Sequence, residues 1–83
     1  MEEMRTMDYQ RYVEFLDEHM IEVGMYENIE IAMEQATIVQ ENPNRMGKKD
    51  GLKTEVICIV KEQPSKWSST YLIDGYVVVA YYE

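Results

Sequence analysis

Five consecutive residues, Val56-Ile57-Cys58-Ile59-Val60, form an unbroken apolar run, and four of them are β-branched. β-Branched side chains are stiff at χ1 and favour extended backbone. A strand with one wet face alternates apolar and polar residues, so a run without alternation predicts a strand buried on both faces. We place it at Thr54–Lys61. It is a strong constraint on the fold, because both faces of such a strand need cover.

Two further apolar runs flank Asp74-Gly75. Asp-Gly is a strong hairpin signal, since a tight two-residue turn needs positive φ at both central positions. The expectation is strands at 67–73 and 76–82, with Ile73 opposite Tyr76 and Leu72 opposite Val77. One face would carry Thr70, Leu72, Val77, Val79 and Tyr81. The other would carry Trp67, Tyr71, Ile73, Tyr76, Val78, Ala80 and Tyr82, and would be rich in aromatics.

The first half reads as helical. Tyr9, Tyr12, Val13, Leu16, Met20 and Val23 recur at three and four residues, which predicts a helix over 8–23. The alternation Ile21, Val23, Met25 supports a competing reading, a helix ending near Glu18 followed by a strand from Met20 to Tyr26. We take the long helix as the expectation. A second helix is expected over 28–41, with Asn28 as N-cap, Ile29, Ala32, Met33, Ala36 and Gln40 on one stripe, and Pro43 stopping it. Residues 42–53 read as a loop with four bases against one acid.

These elements predict a single small α+β domain. Two N-terminal helices would lie on a three-stranded antiparallel β-meander. The expected core is Tyr12, Val13, Leu16, Met20, Ile29, Met33, Ala36, Val56, Cys58, Val60, Leu72, Val77 and Val79.

Charge is unevenly distributed. Residues 1–41 hold eleven acids and two bases, residues 42–83 five acids and six bases, and the formal net charge is −8. Such a balance disfavours direct contact with nucleic acid or an anionic membrane and favours a basic partner surface. No apolar run approaches the roughly 20 residues of a membrane span. The single cysteine, Cys58, allows no intrachain disulfide, which predicts a cytoplasmic setting, in a cell or in a host cell if the chain is viral.

No pattern of catalytic residues is evident. His19, the one histidine, is expected at the edge of the first helix's apolar stripe, and Cys58 lies within an apolar strand, where thiols are inert. One His and one Cys cannot make a zinc site of about four ligands. Lys48-Lys49-Asp50-Gly51 lacks the alternating carboxylates of a calcium loop, and Gly47–Gly51 lacks the phosphate-loop frame. We therefore expect neither an enzyme nor a bound cofactor or metal.

The acids are arranged more suggestively. On the expected helices Glu14, Glu18 and Glu22 form one row with Asp17 beside it, and Glu27, Glu30 and Glu34 a second. Successive turns place carboxylates about 5–6 Å apart, near the spacing of phosphates along a nucleic-acid strand. Solvation alone would also account for such faces. In size, charge and mixed helix–sheet make-up, the chain resembles the DNA-mimic inhibitors that phages use against host nucleic-acid-binding proteins. That resemblance implies a non-enzymatic inhibitor whose partner is a basic-surfaced, nucleic-acid-binding protein. The contacts would come from Glu14, Asp17, Glu18, Glu22, Glu27, Glu30 and Glu34. The alternative is an adaptor, antitoxin or assembly subunit that binds a protein through Trp67, Tyr71, Tyr76 and Tyr82. A homodimer through the aromatic face or the last strand's edge is a further expectation.

Overall fold

A computed structural model describes residues 4–62 and 71–82. Its elements are β1 (Arg5–Asp8), α1 (Tyr9–Phe15), β2 (Ile21–Tyr26), α2 (Ile29–Glu41), a 3-10 turn (Pro43–Met46), β3 (Lys53–Glu62) and β4 (Tyr71–Tyr81). The four strands form one mixed sheet in the order β1-β3-β4-β2. β1 runs parallel to β3, and β4 runs antiparallel to both β3 and β2. The expected pair of N-terminal helices on a three-stranded meander is therefore incorrect. The helices alternate with strands, and the sheet has a parallel edge.

The connections explain why the helices lie on opposite faces. β1, β2 and β3 all point the same way, so α1 and α2 are both crossover helices. The step from β1 to β2 crosses the whole sheet in one direction, and the step from β2 to β3 returns. Two crossovers of the same hand that travel in opposite directions must use opposite faces. Tyr12 of α1 accordingly lies with Ile57, Ile59, Val77 and Val79, while Ala32 and Ala36 of α2 lie on Val78. Ile57 to Val60 and Val77 to Ala80 are buried, as the non-alternating run requires.

The predicted long first helix is replaced by a helix and a strand. Asp8 caps α1 by accepting from Arg11 N–H at 2.7 Å, and Leu16 leaves helical geometry at ψ 122. Met20 N–H then closes a turn onto the Asp17 carbonyl at 2.9 Å. Ile21, Val23 and Met25 follow in extended backbone, the alternative that their alternation supported. β1 was not foreseen. Four residues with no apolar alternation gain their strand geometry from β3 alone, with Arg5 opposite Ile57 and Asp8 opposite Val60.

Asp74-Gly75 is no turn. Ile59 lies opposite Gly75 and Val60 opposite Ile73, so Asp74 is the extra residue of a β-bulge within one continuous strand. Neither residue has positive φ, which the expected turn would need. The predicted strands 67–73 and 76–82 therefore merge over 71–81, and residues 67–70 lie outside those described. Gly75 fits here through a close approach: a Cβ would stand 3.3 Å from the Tyr26 carbonyl oxygen and 3.3 Å from Met25 Cγ. A second bulge falls at Val23, between Glu22 opposite Val79 and Gly24 opposite Val78.

The core also differs from expectation. Val13, Met33 and Leu72 are exposed, whereas Ala32, Val39 and Leu52 are buried. The α2 stripe is rotated, so Ala32, Ala36 and Val39 face the sheet. Leu52 joins Val39 and Ala80 in a cluster that anchors the end of the basic loop. Small residues on α2 bring the helix close to the sheet, and the longer Met33 is turned outward.

Candidate acidic interface

Helix α2 carries the best-ordered acidic row. Asn28 starts it by accepting from Glu30 N–H at 2.7 Å and Ile31 N–H at 3.4 Å. Asn42 ends it, with its N–H on the Ile38 carbonyl at 2.9 Å, and Pro43 follows. With Ala32, Ala36 and Val39 buried, the opposite side of the helix presents Glu30, Glu34 and Glu41, all exposed. Glu30 and Glu34 are one turn apart, and Glu41 lies two turns further on. Glu27, also exposed, stands just before the cap.

The placement of Glu41 is electrostatically unfavourable. A helix C-terminus carries partial negative charge and favours cations by about 0.3–1 kcal/mol each. The last turn of α2 holds no base and one acid, Glu41. Among the described residues Arg5 Nε pairs with Glu55 Oε1 at 3.0 Å, and His19 Nε2 lies 3.5 Å from Glu18 Oε1. No basic side chain neutralises Glu27, Glu30, Glu34 or Glu41 among the described residues.

The other predicted row is dispersed. Glu14 lies on α1, Asp17 and Glu18 lie in the turn after it, and Glu22 lies on β2. Glu22 accepts a hydrogen bond from the buried Tyr12 hydroxyl at 3.0 Å, so its carboxylate is tied to the fold. Since α1 and α2 cover opposite faces, Glu14 belongs to one side of the sheet and the α2 row to the other. One flat partner surface cannot meet both. Sequence periodicity placed these acids on one helix because it did not detect the break after Phe15. Glu41 is not among the acids expected from sequence to make contacts, and the signal that singles it out is its position at the negative pole of α2.

Asp17, Glu18 and His19 place one ligand atom each within 4.8 Å of one another. All three are exposed and consecutive in a turn, and the Asp17 carboxylate accepts from His19 N–H at 3.3 Å. Such a set would leave a divalent ion largely hydrated. His19 is thus in the turn and not on a helix stripe. Cys58 is buried, and burial pushes its thiol pKa up, which is the opposite of an activated nucleophile.

The aromatic residues are dispersed too. Tyr76 is half-buried in the cluster under α2. Tyr82 donates to the Lys49 carbonyl at 2.9 Å and holds the basic loop against the sheet. Tyr71 lies in β4 by its backbone, and Trp67 lies outside the described residues. The sheet face that holds Tyr76 is covered by α2 and offers no open aromatic platform among the described residues. No helix among the described residues is long and apolar enough to cross a membrane.

Compared with known protein families, curated proteins and solved structures, the chain matches none of them.

Proposed function

We propose that the outer face of α2 docks on a basic-surfaced protein, and that this protein is a nucleic-acid-binding one whose phosphate-contacting surface the helix blocks. The main support is Glu41. An acid at the negative end of a helix, in line with Glu30 and Glu34 and opposite the buried stripe, is costly for the isolated domain. A cationic partner would reverse that cost. Glu27, Glu30, Glu34 and Glu41 carry the contacts. Binding requires no chemistry from His19 or Cys58, and the protein acts without a cofactor.

The test uses immobilised protein, the basic nucleic-acid-binding proteins of its source cell, and duplex DNA as competitor. Capture should be strong at low salt, fall steeply at high salt and be displaced by DNA. Glu30→Lys with Glu34→Lys should weaken capture by roughly tenfold or more, while Glu14→Lys should have little effect. Equal capture by wild type and the α2 double variant overturns the reading.

A further inference from the structure

β4 lies between β3 and β2 over Tyr76–Ala80, so the edge expected of the last strand belongs to β2 instead. Among the described residues, β4 and α2 are the only elements in contact with β2, and its outer edge is unpaired. The remaining residues leave that edge clear. Residues 1–3 precede β1, at the opposite side of the sheet. Residues 63–70 start and finish at Glu62 and Tyr71, which lie opposite each other. Their backbone reaches at most about 16 Å from that pair, whereas Gly24, opposite Val78, is roughly 23 Å along β4 from Tyr71. Glu83 follows Tyr82, past the end of the β2 ladder.

Two positions of β2 turn their backbone groups outward. Thr54 N–H is directed away from β4, to Gln40 Oε1 at 3.4 Å. Its partner Ala80 therefore turns its own groups to Ile21 of β2. Tyr26 agrees, because its carbonyl oxygen stands 3.3 Å from where a Cβ on Gly75 of β4 would be. Groups alternate along β4, so Ala80, Val78 and Tyr76 bond Ile21, Gly24 and Tyr26. Glu22 and Met25 are left facing the free edge.

The side chains of β2 follow a matching order. Ile21, Val23 and Tyr26 pack in the clusters under α2, and Gly24, opposite Val78, lies on that same face. Glu22, bonded to Tyr12, and Met25, opposite Val77, lie on the α1 face. The bulge at Val23 makes this order of faces read the same from either end of the strand.

We propose that β2 pairs antiparallel with β2 of a second copy, about a two-fold axis between Val23 and Gly24. Ile21 then lies opposite Tyr26 of the second copy, Glu22 opposite Met25, and Val23 opposite Gly24. Every opposed pair shares a face, and no other two-fold register achieves this for all 6 residues of the strand. Glu22 and Met25, whose groups are free, become the pairs that exchange main-chain hydrogen bonds. A bulge ordinarily deters strand addition. A second copy carries the same bulge in the matching place, as a self-complementary interface requires. Met25, 45% exposed, gains cover. Antiparallel edge pairing keeps each sheet face on its own side, so both α2 helices present their acidic rows in one direction. The pairing does not depend on what those rows bind.

The test is sedimentation equilibrium and amide NMR of the full chain from about 10 μM to about 1 mM. Dimer should grow with concentration, and amide exchange at Glu22 and Met25 should slow at least tenfold. Mixed isotope labelling should show contacts between Met25 of one copy and Glu22 of the other. Each copy carries a net charge of −8, so association should strengthen with salt, the reverse of the response expected for capture of a basic partner. Met25→Glu sets like charges opposite each other twice and should weaken the dimer roughly tenfold or more. Met25→Pro removes an outward N–H that the β4 ladder does not use, and should do likewise. If either variant fails to fold, the contacts measured in the unmodified chain decide alone. A chain that stays monomeric at about 1 mM in high salt overturns β2 pairing. A dimer with contacts elsewhere, or one indifferent to both folded Met25 variants, overturns it too. None of these outcomes bears on capture through α2, which the Glu30→Lys with Glu34→Lys variant tests separately.

Discussion

The hydroxyl of Tyr12, on the first helix, donates to the carboxylate of Glu22, on the second strand, across 3.0 Å. Tyr12 is 1% exposed, and its ring contributes to the core under α1. The bond fastens a seven-residue helix, too short to persist alone, to the far edge strand. Tyr12→Phe keeps the ring and removes the bond. It should cost about 1–2 kcal/mol in denaturant unfolding, below the upper range for charged acceptors because Glu22 can be resolvated.

The same pair predicts an alkaline limit. Burial first, and then the hydrogen bond and charge of Glu22, hold the Tyr12 phenol above the ordinary tyrosine value of 10.0. Above about pH 10 the unfolded chain releases that proton while the folded chain keeps it, so folding stability falls as pH rises. Below pH 10 this contribution is fully present. Tyr12→Phe should remove its share of the alkaline slope, measured by thermal unfolding between pH 9 and 11.

Two glycines in the sheet should respond differently to a methyl group. At Gly75 a Cβ would meet a backbone oxygen, that of Tyr26, at 3.3 Å, and at Gly24 it would meet the far end of the Tyr26 ring at 3.0 Å. A ring can swing aside and a carbonyl in a ladder cannot. Gly75→Ala should therefore destabilise by about 1–3 kcal/mol and Gly24→Ala by less, judged by chemical denaturation midpoints.

Asn28 should be separable from the acidic row it introduces. Asn28→Ala removes the acceptor for Glu30 and Ile31 N–H and should cost about 1 kcal/mol. It should leave capture of a basic partner nearly unchanged at temperatures where the variant is folded. Equal loss of binding in Asn28→Ala and in the Glu30/Glu34 charge reversal would show that helix integrity, not charge, is what capture reports.

Cys58 should report global opening. It is 4% exposed with its thiol pKa raised by burial. Thiol reagents near pH 8 should modify the native protein on the order of a hundredfold more slowly than the denatured one. Fast labelling of the native state would place the thiol at the surface.

How far the fold was legible depended on whether a signal was local. The Val56–Val60 run carries its own message, and the strand it predicts is buried on both sides. Asn28 and Pro43 bracket a helix that lies where their chemistry places it. Asp74-Gly75 carries an equally clear local message that tertiary pairing overrides, since β4 continues through it with one residue bulged. Residues 8–26 satisfy both helical and strand spacing, and the break after Phe15 is decided by what Ile21–Tyr26 gains from β4. β1 has no local signal. The candidate site follows the same division: the α2 acids, set by a bracketed helix, stay together, and the Glu14, Glu18, Glu22 row is lost with the helix that was to hold it.

The strand order has a consequence for the order of synthesis. β1 and β2 are the edges of the sheet and come first, while β3 and β4 are its centre and come last. The N-terminal half therefore leaves the ribosome before the scaffold it must join exists, and every strand pairing waits for β3 or β4. That half is also where eleven of the sixteen acids reside. Mutual repulsion keeps such a nascent segment dispersed, so the acidity that suits a basic partner in the finished protein also guards the chain while it is incomplete.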